Sequence, residues 1–288
     1  MATMFFGQYL LAKGVIDRGA LLDALDRQRR SNLSLPELAV QKGMMDRRRA
    51  DSVVALFRMS EQPMEEILTI AGGLDAEQVQ QLQNRQRSSW LRIGAALVEG
   101  GHLTEEEIAA NLAVYQSLAS AADQEIRGAL KSVPDSAAVG ACVELTVFHL
   151  ERIVGREVRI ESVKVEPDRL EEGLQRFSQR IVGDRDYTIA VDLPPPLMSS
   201  AAEGLLGFAT DPGTEVEADA VCEIINLIGG NACTRIEQLG HVLRPEPPEW
   251  SGSGRLVSPT DEVVRASAYF ADEVFDIRVF VGDGGGVR

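Results

Sequence analysis

One stretch of the chain, residues 219–239, combines residue types that could do chemistry on one side of a predicted helix. Glu223, Asn226 and Gly230 are spaced i, i+3 and i+7, so they form a narrow polar stripe on an otherwise apolar helix. An amide both donates and accepts hydrogen bonds, and a carboxylate one turn away adds a charge. The stripe is therefore a candidate binding or positioning site.

The neighbouring glycines carry a second signal. Gly229 and Gly230 lie in the middle of the predicted helix, where each costs about 1 kcal/mol relative to alanine. Close approach of another group to the helix would explain this cost. The alternative interpretation is that Glu223 and Asn226 form a solvated face and that the glycines allow tight helix packing.

Other residue combinations are weaker. His102, His149 and His241 are scattered, and no Ser/His/Asp or Cys/His combination accompanies them. His241 with Glu237 supplies only two potential metal ligands, too few for a site. The chain has no G-x-x-x-x-G-K-[ST] phosphate loop. The remaining candidates, expected to be a solvated hairpin end and a packing aromatic, are Asp184, Asp186, Asp192 and Trp250.

The composition limits the class of protein. The length of 288 residues predicts two domains, and 44 acidic against 29 basic side chains give a net charge of −15. This acidity argues against nucleic-acid and anionic-membrane binding, which need clustered Lys and Arg. The chain shows neither a signal peptide nor an apolar run long enough for a transmembrane helix. We expect a cytoplasmic protein with three buried, reduced thiols: Cys142, Cys222 and Cys233.

A four-fold repeat is predicted over the first 117 residues. Gly14, Gly43, Gly72 and Gly101 are each 29 residues apart, and apolar and capping residues recur at fixed positions around them. Each copy predicts a helix, a turn with glycine in the left-handed conformation, and a second helix capped by Asp or Thr. Because a short helix pair cannot bury its apolar face alone, we expect the copies to pack into one small bundle.

This segment, about residues 4–117, resembles the N-terminal domain of GspE/PilB/MshE-type secretion and pilus ATPases. In some members that domain binds cyclic di-GMP through an Arg, Gly and Gln motif. The positions that match here are Arg92, Gly94, Gly7 and Gln28. The match is partial, since Phe5 stands at the Arg position of the first copy. The alternative interpretation is a docking module in which these residues pack and cap helices.

The second half has the pattern of an α+β domain, with helices covering a mixed or antiparallel sheet. Pro134 marks a boundary before it. The predicted helices are 138–154, 194–206 and 219–239, and the predicted strands are 157–165, 179–182, 187–192, 263–270 and 274–281. A Pro-, Gly- and Ser-rich loop is predicted between His241–Leu243 and Arg255–Val257. The predicted organisation is a helical domain at 1–117, a connector at 118–137, the α+β domain at 138–282 and a disordered tail at 283–288.

The string from Asp219 to Ala232 is similar to the signature of the CheC/CheX/FliY phosphatases. That motif has Asp or Ser, three residues, Glu, two residues, Asn and a later Pro, for which Pro247 and Pro248 are one or two residues short. The resemblance covers about residues 138–282. A second candidate helix has Leu206 where the motif requires Asn, so the one intact motif resembles CheX rather than CheC; that helix reads Ser199-x-x-x-Glu203-x-x-Leu206.

The resemblance implies that the protein dephosphorylates the aspartyl phosphate of a CheY-like receiver domain. Asn226 would hold a water in line for attack, and Glu223 would pair with a receiver lysine. Mg²⁺ would belong to the receiver, no cofactor of the chain's own is expected, and a homodimer is implied. The alternative function is a non-catalytic scaffold that links a receiver to pilus or secretion machinery, with or without control by cyclic di-GMP.

Overall fold

A computed structural model describes residues 4–252, 262–270 and 273–282. The chain divides into two units, Met1–Ala122 and Asp123–Arg288. The first unit is helical, and its last helix continues into the second unit. The helices are α1 (Phe6–Ala12), α2 (Arg18–Ser31), α3 (Leu35–Gln41), α4 (Arg47–Arg58), α5 (Met64–Ile70), α6 (Ala76–Ser89), α7 (Ile93–Glu99) and α8 (Glu105–Ser132). None of the described helices is long and apolar enough to cross a membrane.

The turns after the short helices contain glycines with φ between 68° and 71°, at Gly14, Gly43, Gly73 and Gly101. The prediction was wrong for Gly72, whose neighbour Gly73 takes the left-handed conformation instead. The reason is that the backbone hydrogen bond that closes the turn after α5 spans one more residue than the corresponding bond after α1. The Leu74 N–H donates to Leu68 O, six residues back, whereas the Val15 N–H donates to Leu10 O, five residues back. The turn after α5 therefore closes one residue later, although each of the four turns joins its two helices through five residues.

The predicted caps of the second helices are confirmed. Asp17, Asp46 and Asp75 each accept a hydrogen bond of 2.8 Å from the backbone N–H three residues later. Thr104 and Glu107 form the predicted capping box: the Glu107 N–H donates to Thr104 Oγ1 over 3.2 Å, and the Thr104 N–H donates to Glu107 Oε2 over 2.8 Å.

We expected the copies to pack into one small bundle, and the first unit instead has two separate apolar cores. Buried apolar side chains of the first unit form two clusters, one from α1, α2, α7 and α8 and the other from α3, α4, α5 and α6. Helix α2 packs against α7, and α3 packs against α6. Each helix pair thus buries its narrow apolar face against one other pair, so the cores stay separate.

The second unit is a seven-stranded antiparallel sheet with three helices. The elements are α9 (Ser136–Val154), β1 (Val158–Pro167), β2 (Gln175–Gly183), β3 (Asp186–Leu193), α10 (Pro195–Leu206), α11 (Glu215–Glu237), β4 (Leu243–Pro245), β5 (Glu249–Gly252), β6 (Glu262–Phe270) and β7 (Glu273–Gly282). The strands lie in the order β1-β6-β7-β3-β2-β4, and β5 also pairs with β2. Helix α11 packs on α9, α10 and β2, and α9 also contacts β7.

The predicted helices and strands of this unit are present, with four main differences. Strand β2 begins at Gln175, four residues before the predicted start at 179. Helix α11 begins four residues earlier than predicted, because the Thr214 side chain accepts a hydrogen bond from the Glu217 N–H. The same helix ends at Glu237, two residues before the predicted end at 239, which leaves Leu239 50% exposed. The predicted loop after residue 243 contains β4 and β5. The loop residues Arg255–Val257 and the predicted tail at 283–288 lie outside the described residues.

Ionised side chains are buried on one face of the sheet. Asp192 of β3 pairs across the strands with Arg176 of β2 and with Asp276 of β7. The Arg176 guanidinium donates to both Asp192 oxygens over 2.6 and 2.7 Å and to both Asp168 oxygens over 2.7 and 2.9 Å. Arg278 donates to Asp192 over 2.5 Å and to Asp276 over 3.1 Å. These five residues, called the Arg–Asp cluster below, are at most 5% exposed.

Hydrogen bonds from Arg176 to two carboxylates favour the charged form of its guanidinium group. Burial lowers the pKa of Arg176, but the hydrogen bonds to Asp192 and Asp168 outweigh it and raise that pKa above its ordinary value. Strand β2 contributes Arg176, β3 contributes Asp192 and β7 contributes both Asp276 and Arg278, so every ion pair of the cluster joins buried partners. The alternating residues of the same strands, such as Phe177 and Ile277, face the helices and form the apolar core.

Candidate functional site

Glu223 and Asn226 are both exposed on α11, one turn apart. The helix is fixed beneath them because Ile224, Ile225 and Ile228 are at most 1% exposed and pack into the core. The two side chains are therefore accessible at the surface of a firmly packed helix. A solvated face would also leave both side chains exposed, so exposure does not distinguish it from a binding site. The contacts of Asn226 are more informative.

Asn226 is hydrogen-bonded to a residue that the sequence patterns did not single out. The Gln179 side chain on β2 is 1% exposed, and its Nε2 donates to Asn226 Oδ1 over 3.0 Å. The same nitrogen donates to the Glu246 carbonyl oxygen over 2.6 Å. The residue before Pro247 and the Asn226 amide thus share one hydrogen-bond donor.

The two adjacent glycines of α11 differ. A Cβ placed on Gly229 would overlap Gln179 Oε1, whereas a Cβ placed on Gly230 would meet nothing within 4 Å. The expectation that another group approaches the helix closely is therefore confirmed for Gly229, and the group is the Gln179 side chain. It is wrong for Gly230, where the space is open.

Asn231, which also belongs to the motif string, makes a structural contact. Its Nδ2 lies 2.8 Å from Nε2 of His149 on α9, a side chain that is fully buried. Burial, aided by the nearby Arg152 charge, lowers the pKa of His149 to about 4. The imidazole is therefore neutral at pH 7, and its Nε2 can accept the hydrogen bond from Asn231.

Helix α10 carries the incomplete second motif. Glu203 is exposed and Leu206 is half-buried. Ser199 Oγ donates to Glu217 Oε1 over 2.5 Å, and the Gly213 N–H donates to Glu217 Oε2 over 2.7 Å. Glu217 is 1% exposed. Ser199, at the first position of the incomplete motif, thus connects α10 to α11 through Glu217. Leu206 stands where the motif has Asn, so Glu203 has no amide one turn later.

The four residues matched to a cyclic di-GMP motif occupy different environments. Gly7 and Gly94 are buried, and a Cβ on either would approach a packed side chain, Leu21 at 2.7 Å or Ile108 at 3.0 Å. Gln28 Nε2 donates to the Leu91 carbonyl oxygen over 2.9 Å. Arg92 is exposed and precedes α7. Only Arg92 lines a cleft of about 210 Å³, whose other lining residues are Gln86, Arg87 and Trp90.

The weaker candidates are resolved as structural contacts. His241 Nδ1 lies 3.3 Å from Asp184 Oδ1. The imidazole therefore contacts the Asp184 carboxylate, whereas the sequence suggested Glu237. Asp192 is fully buried in the Arg–Asp cluster and is not a solvated hairpin carboxylate. Trp250 stacks on Phe177 with ring centroids 6.2 Å apart. Within residues 4–252, 262–270 and 273–282, no group of three His, Cys, Asp or Glu side chains could hold a metal ion.

The three cysteines have no disulfide partner. Cys142 and Cys233 are buried, as predicted, while Cys222 is half-buried beside Glu223. Burial raises the pKa of the Cys142 thiol to about 12. This group is therefore protonated and unreactive at neutral pH.

Residues 216–251, which span α11, β4 and most of β5, match the model of the CheC-like family. The second half of the chain carries a CheC-like segment. Glu223, Asn226 and Glu246 all lie within this CheC-like segment, whereas Gln179 lies outside it. No curated protein sequence matches the chain.

Several solved structures resemble part of the chain. A CheX from Vibrio vulnificus is 15% identical with a TM-score of 0.46, and the match covers 50% of this chain and 99% of that one. A CheX from Borrelia burgdorferi, in a complex with CheY, BeF3 and Mg²⁺, is 15% identical with a TM-score of 0.39, covering 50% and 96%. FliY from Thermotoga maritima is 19% identical with a TM-score of 0.39, covering 49% and 85%.

Proposed function

We propose that the second unit dephosphorylates the aspartyl phosphate of a CheY-like receiver domain. One observation carries the proposal: Glu223 and Asn226 are exposed together, one turn apart, within the CheC-like segment. A partner can therefore reach both side chains at once. The Borrelia CheX was crystallised with CheY, and a receiver of this type is the partner that we propose here.

Hydrolysis needs a positioned water and little covalent chemistry from the phosphatase. The water oxygen bonds to phosphorus as the bond from phosphorus to the receiver's aspartate breaks, and a water proton leaves with the inorganic phosphate. Asn226 Oδ1 has two lone pairs, one of which accepts from Gln179, and Nδ2 has two N–H groups. The remaining positions can orient the water toward phosphorus, which is the main requirement of phosphoryl transfer.

Glu223 supplies recognition in this proposal. Its exposed carboxylate pairs with a lysine of the receiver and so fixes the position of Asn226 over the phosphoryl group. Mg²⁺ belongs to the receiver, where it neutralises charge on the phosphoryl oxygens. The homodimer implied by the resemblance and the cytoplasmic location expected from the sequence are part of the same proposal.

The direct test is phosphate release from a panel of phosphorylated CheY-like receivers, with and without this protein at catalytic amounts. We expect faster release from at least one receiver, with turnover of many receiver molecules per chain. Equal release from every receiver, together with stable binding to one of them, would instead support the scaffold function.

Replacing Glu223 with glutamine is expected to lower kcat/KM about tenfold, because one charge pair with the receiver is lost. The effect should fall mainly on KM, and it should shrink as salt is added. Glu203→Gln is the matched control, since Glu203 is an exposed glutamate at the same motif position of α10 but lacks the amide one turn later. Steady-state dephosphorylation kinetics at two ionic strengths measure both variants, and equal losses in both would contradict the assignment.

For the first unit we propose a four-fold helix-pair module of the GspE/PilB/MshE type that binds cyclic di-GMP. The observation that favours it is the cleft beside Arg92, where two arginines and a Trp90 ring that is 52% exposed surround the same space. Guanidinium groups pair with phosphates, and an indole ring stacks on bases. Such a module would make dephosphorylation respond to the nucleotide.

Arg92→Ala is expected to weaken binding of cyclic di-GMP at least tenfold, because a charge-assisted phosphate contact is lost. Isothermal titration calorimetry with cyclic di-GMP measures the effect. Arg85→Ala is the control, because Arg85 is an exposed arginine on α6 that does not line the cleft. No measurable heat with the unmodified protein would reject nucleotide binding and favour a protein-docking module.

A further inference from the structure

Gln179 occupies a position where a polar side chain costs free energy. It lies on β2 between Phe177 and Ile181, which point to the same face of the sheet and are fully buried. A buried amide in such surroundings is tolerated only when hydrogen bonds replace the lost water. The hydrogen bonds of the Gln179 amide must therefore offset the free energy that its burial costs.

The orientation of the Gln179 amide follows from its partners. The Glu246 carbonyl can only accept, so the Gln179 nitrogen must face it, and the same nitrogen then faces Asn226 Oδ1. Asn226 is in turn oriented with its carbonyl oxygen inward. Its Nδ2 group takes no part in this contact.

Two further features show that this contact is maintained at a cost. Gln179 Oε1 is buried without a hydrogen-bond partner among the described residues, and such an atom forgoes the bonds that it would make in water. Beside it, the helix has Gly229, where any side chain would overlap Oε1. Core packing alone would be served better by an apolar residue at 179 and alanine at 229.

We infer that Gln179 is a positioning residue that holds the Asn226 amide in the orientation needed to place the attacking water. The inference rests on the proposed function, and it adds a residue outside the CheC-like segment to the site. Gln179 does not touch the receiver; it acts through Asn226 and also fixes the carbonyl before Pro247.

Kinetics test this role through two independent changes to the same contact. Gln179→Met removes the donor, and Gly229→Ala displaces the Gln179 side chain. Each is expected to lower kcat about tenfold or more while KM changes less than about twofold, because misplacement of a catalytic group affects the chemical step. Ile181→Val is the control for general loosening of β2, and it should leave kcat unchanged.

A double-mutant cycle distinguishes positioning from a merely structural role. If Gln179 acts through Asn226, adding Gln179→Met to Asn226→Ala should lower kcat no further. A further tenfold loss in the Asn226→Ala background would overturn the inference, as would an unchanged kcat in both single variants.

A readout that needs no activity separates the inference from the proposed function. The side-chain amide resonance of Asn226 in ¹H–¹⁵N spectra should shift in Gln179→Met and in Gly229→Ala but not in Gly230→Ala. The shift without turnover of any receiver would support the positioning contact and reject the phosphatase. An unshifted resonance in folded Gln179→Met and Gly229→Ala would overturn the positioning contact, whatever the activity of the unmodified protein.

Discussion

Replacing Asn226 with alanine is expected to slow phosphate release from a phosphorylated receiver about 100-fold, while receiver binding changes little. The change removes the amide that orients the attacking water, and misplacement of a reacting group is sufficient for a loss of this size. Because Asn226 is exposed and the isoleucines beneath it are untouched, we expect the fold to be unaffected. Single-turnover measurements with excess phosphatase isolate the chemical step.

Asn226→Asp makes this test sharper. The carboxylate is nearly isosteric and can still accept from Gln179 Nε2, but it has no N–H groups and adds a negative charge near the phosphoryl group. We expect phosphate release by Asn226→Asp to be slowed about as much as phosphate release by Asn226→Ala. Glu237→Ala, an exposed change in the last turn of α11, is the control. Phosphate release by Asn226→Ala at the unmodified rate would reject catalysis by this amide and leave the scaffold function.

Replacing Asp192 with alanine is expected to lower the free energy of unfolding of the second unit by about 3–5 kcal/mol. Asp192 accepts hydrogen bonds from both Arg176 and Arg278, and removing it leaves two buried guanidinium groups with too few carboxylates. The exposed fraction of all three side chains is zero, so water cannot replace the lost partner. Hydrogen exchange of the amides in β2, β3 and β7 measures the change in this unit alone.

Asp186→Ala provides the comparison on the same strand. The Asp186 side chain is 30% exposed, lies 3.8 Å from Arg180 Nη2 and accepts a hydrogen bond from the Gly183 N–H over 3.1 Å, so we expect its removal to cost about 1 kcal/mol. A similar small loss in Asp192→Ala would mean that the Arg–Asp cluster is hydrated and contributes little to stability.

The exposed part of the candidate site could be predicted from the sequence, because helical spacing places Glu223 and Asn226 on one side of α11. Gln179 was missed, although a signal exists: it falls in the same alternation phase as Phe177 and Ile181, both apolar. A polar residue in an apolar phase predicts a buried hydrogen-bonded group. The partner of that group lies 47 residues away, and short-range patterns carry no information about such pairs.

Other features depend on which elements meet. Arg176, Asp192 and Arg278 alternate with apolar residues and look like solvent-facing positions of their strands, because periodicity does not distinguish a buried ion pair from a hydrated one. The positions of the helical turns in the first unit were predicted well, except at Gly72. The pairing of helices into two cores could not be predicted, since each helix pair offers a similar apolar face.

The Arg–Asp cluster also restricts how the strands can align. Sliding β2 by one residue along β3 would turn Arg176 toward the apolar core and bring Phe177 to the charged face. Misaligned sheets would therefore bury a guanidinium group without a carboxylate, and few such states could compete with the native one. The cluster thus favours a single register of β2 along β3, and this register places Gln179 where it can contact Asn226.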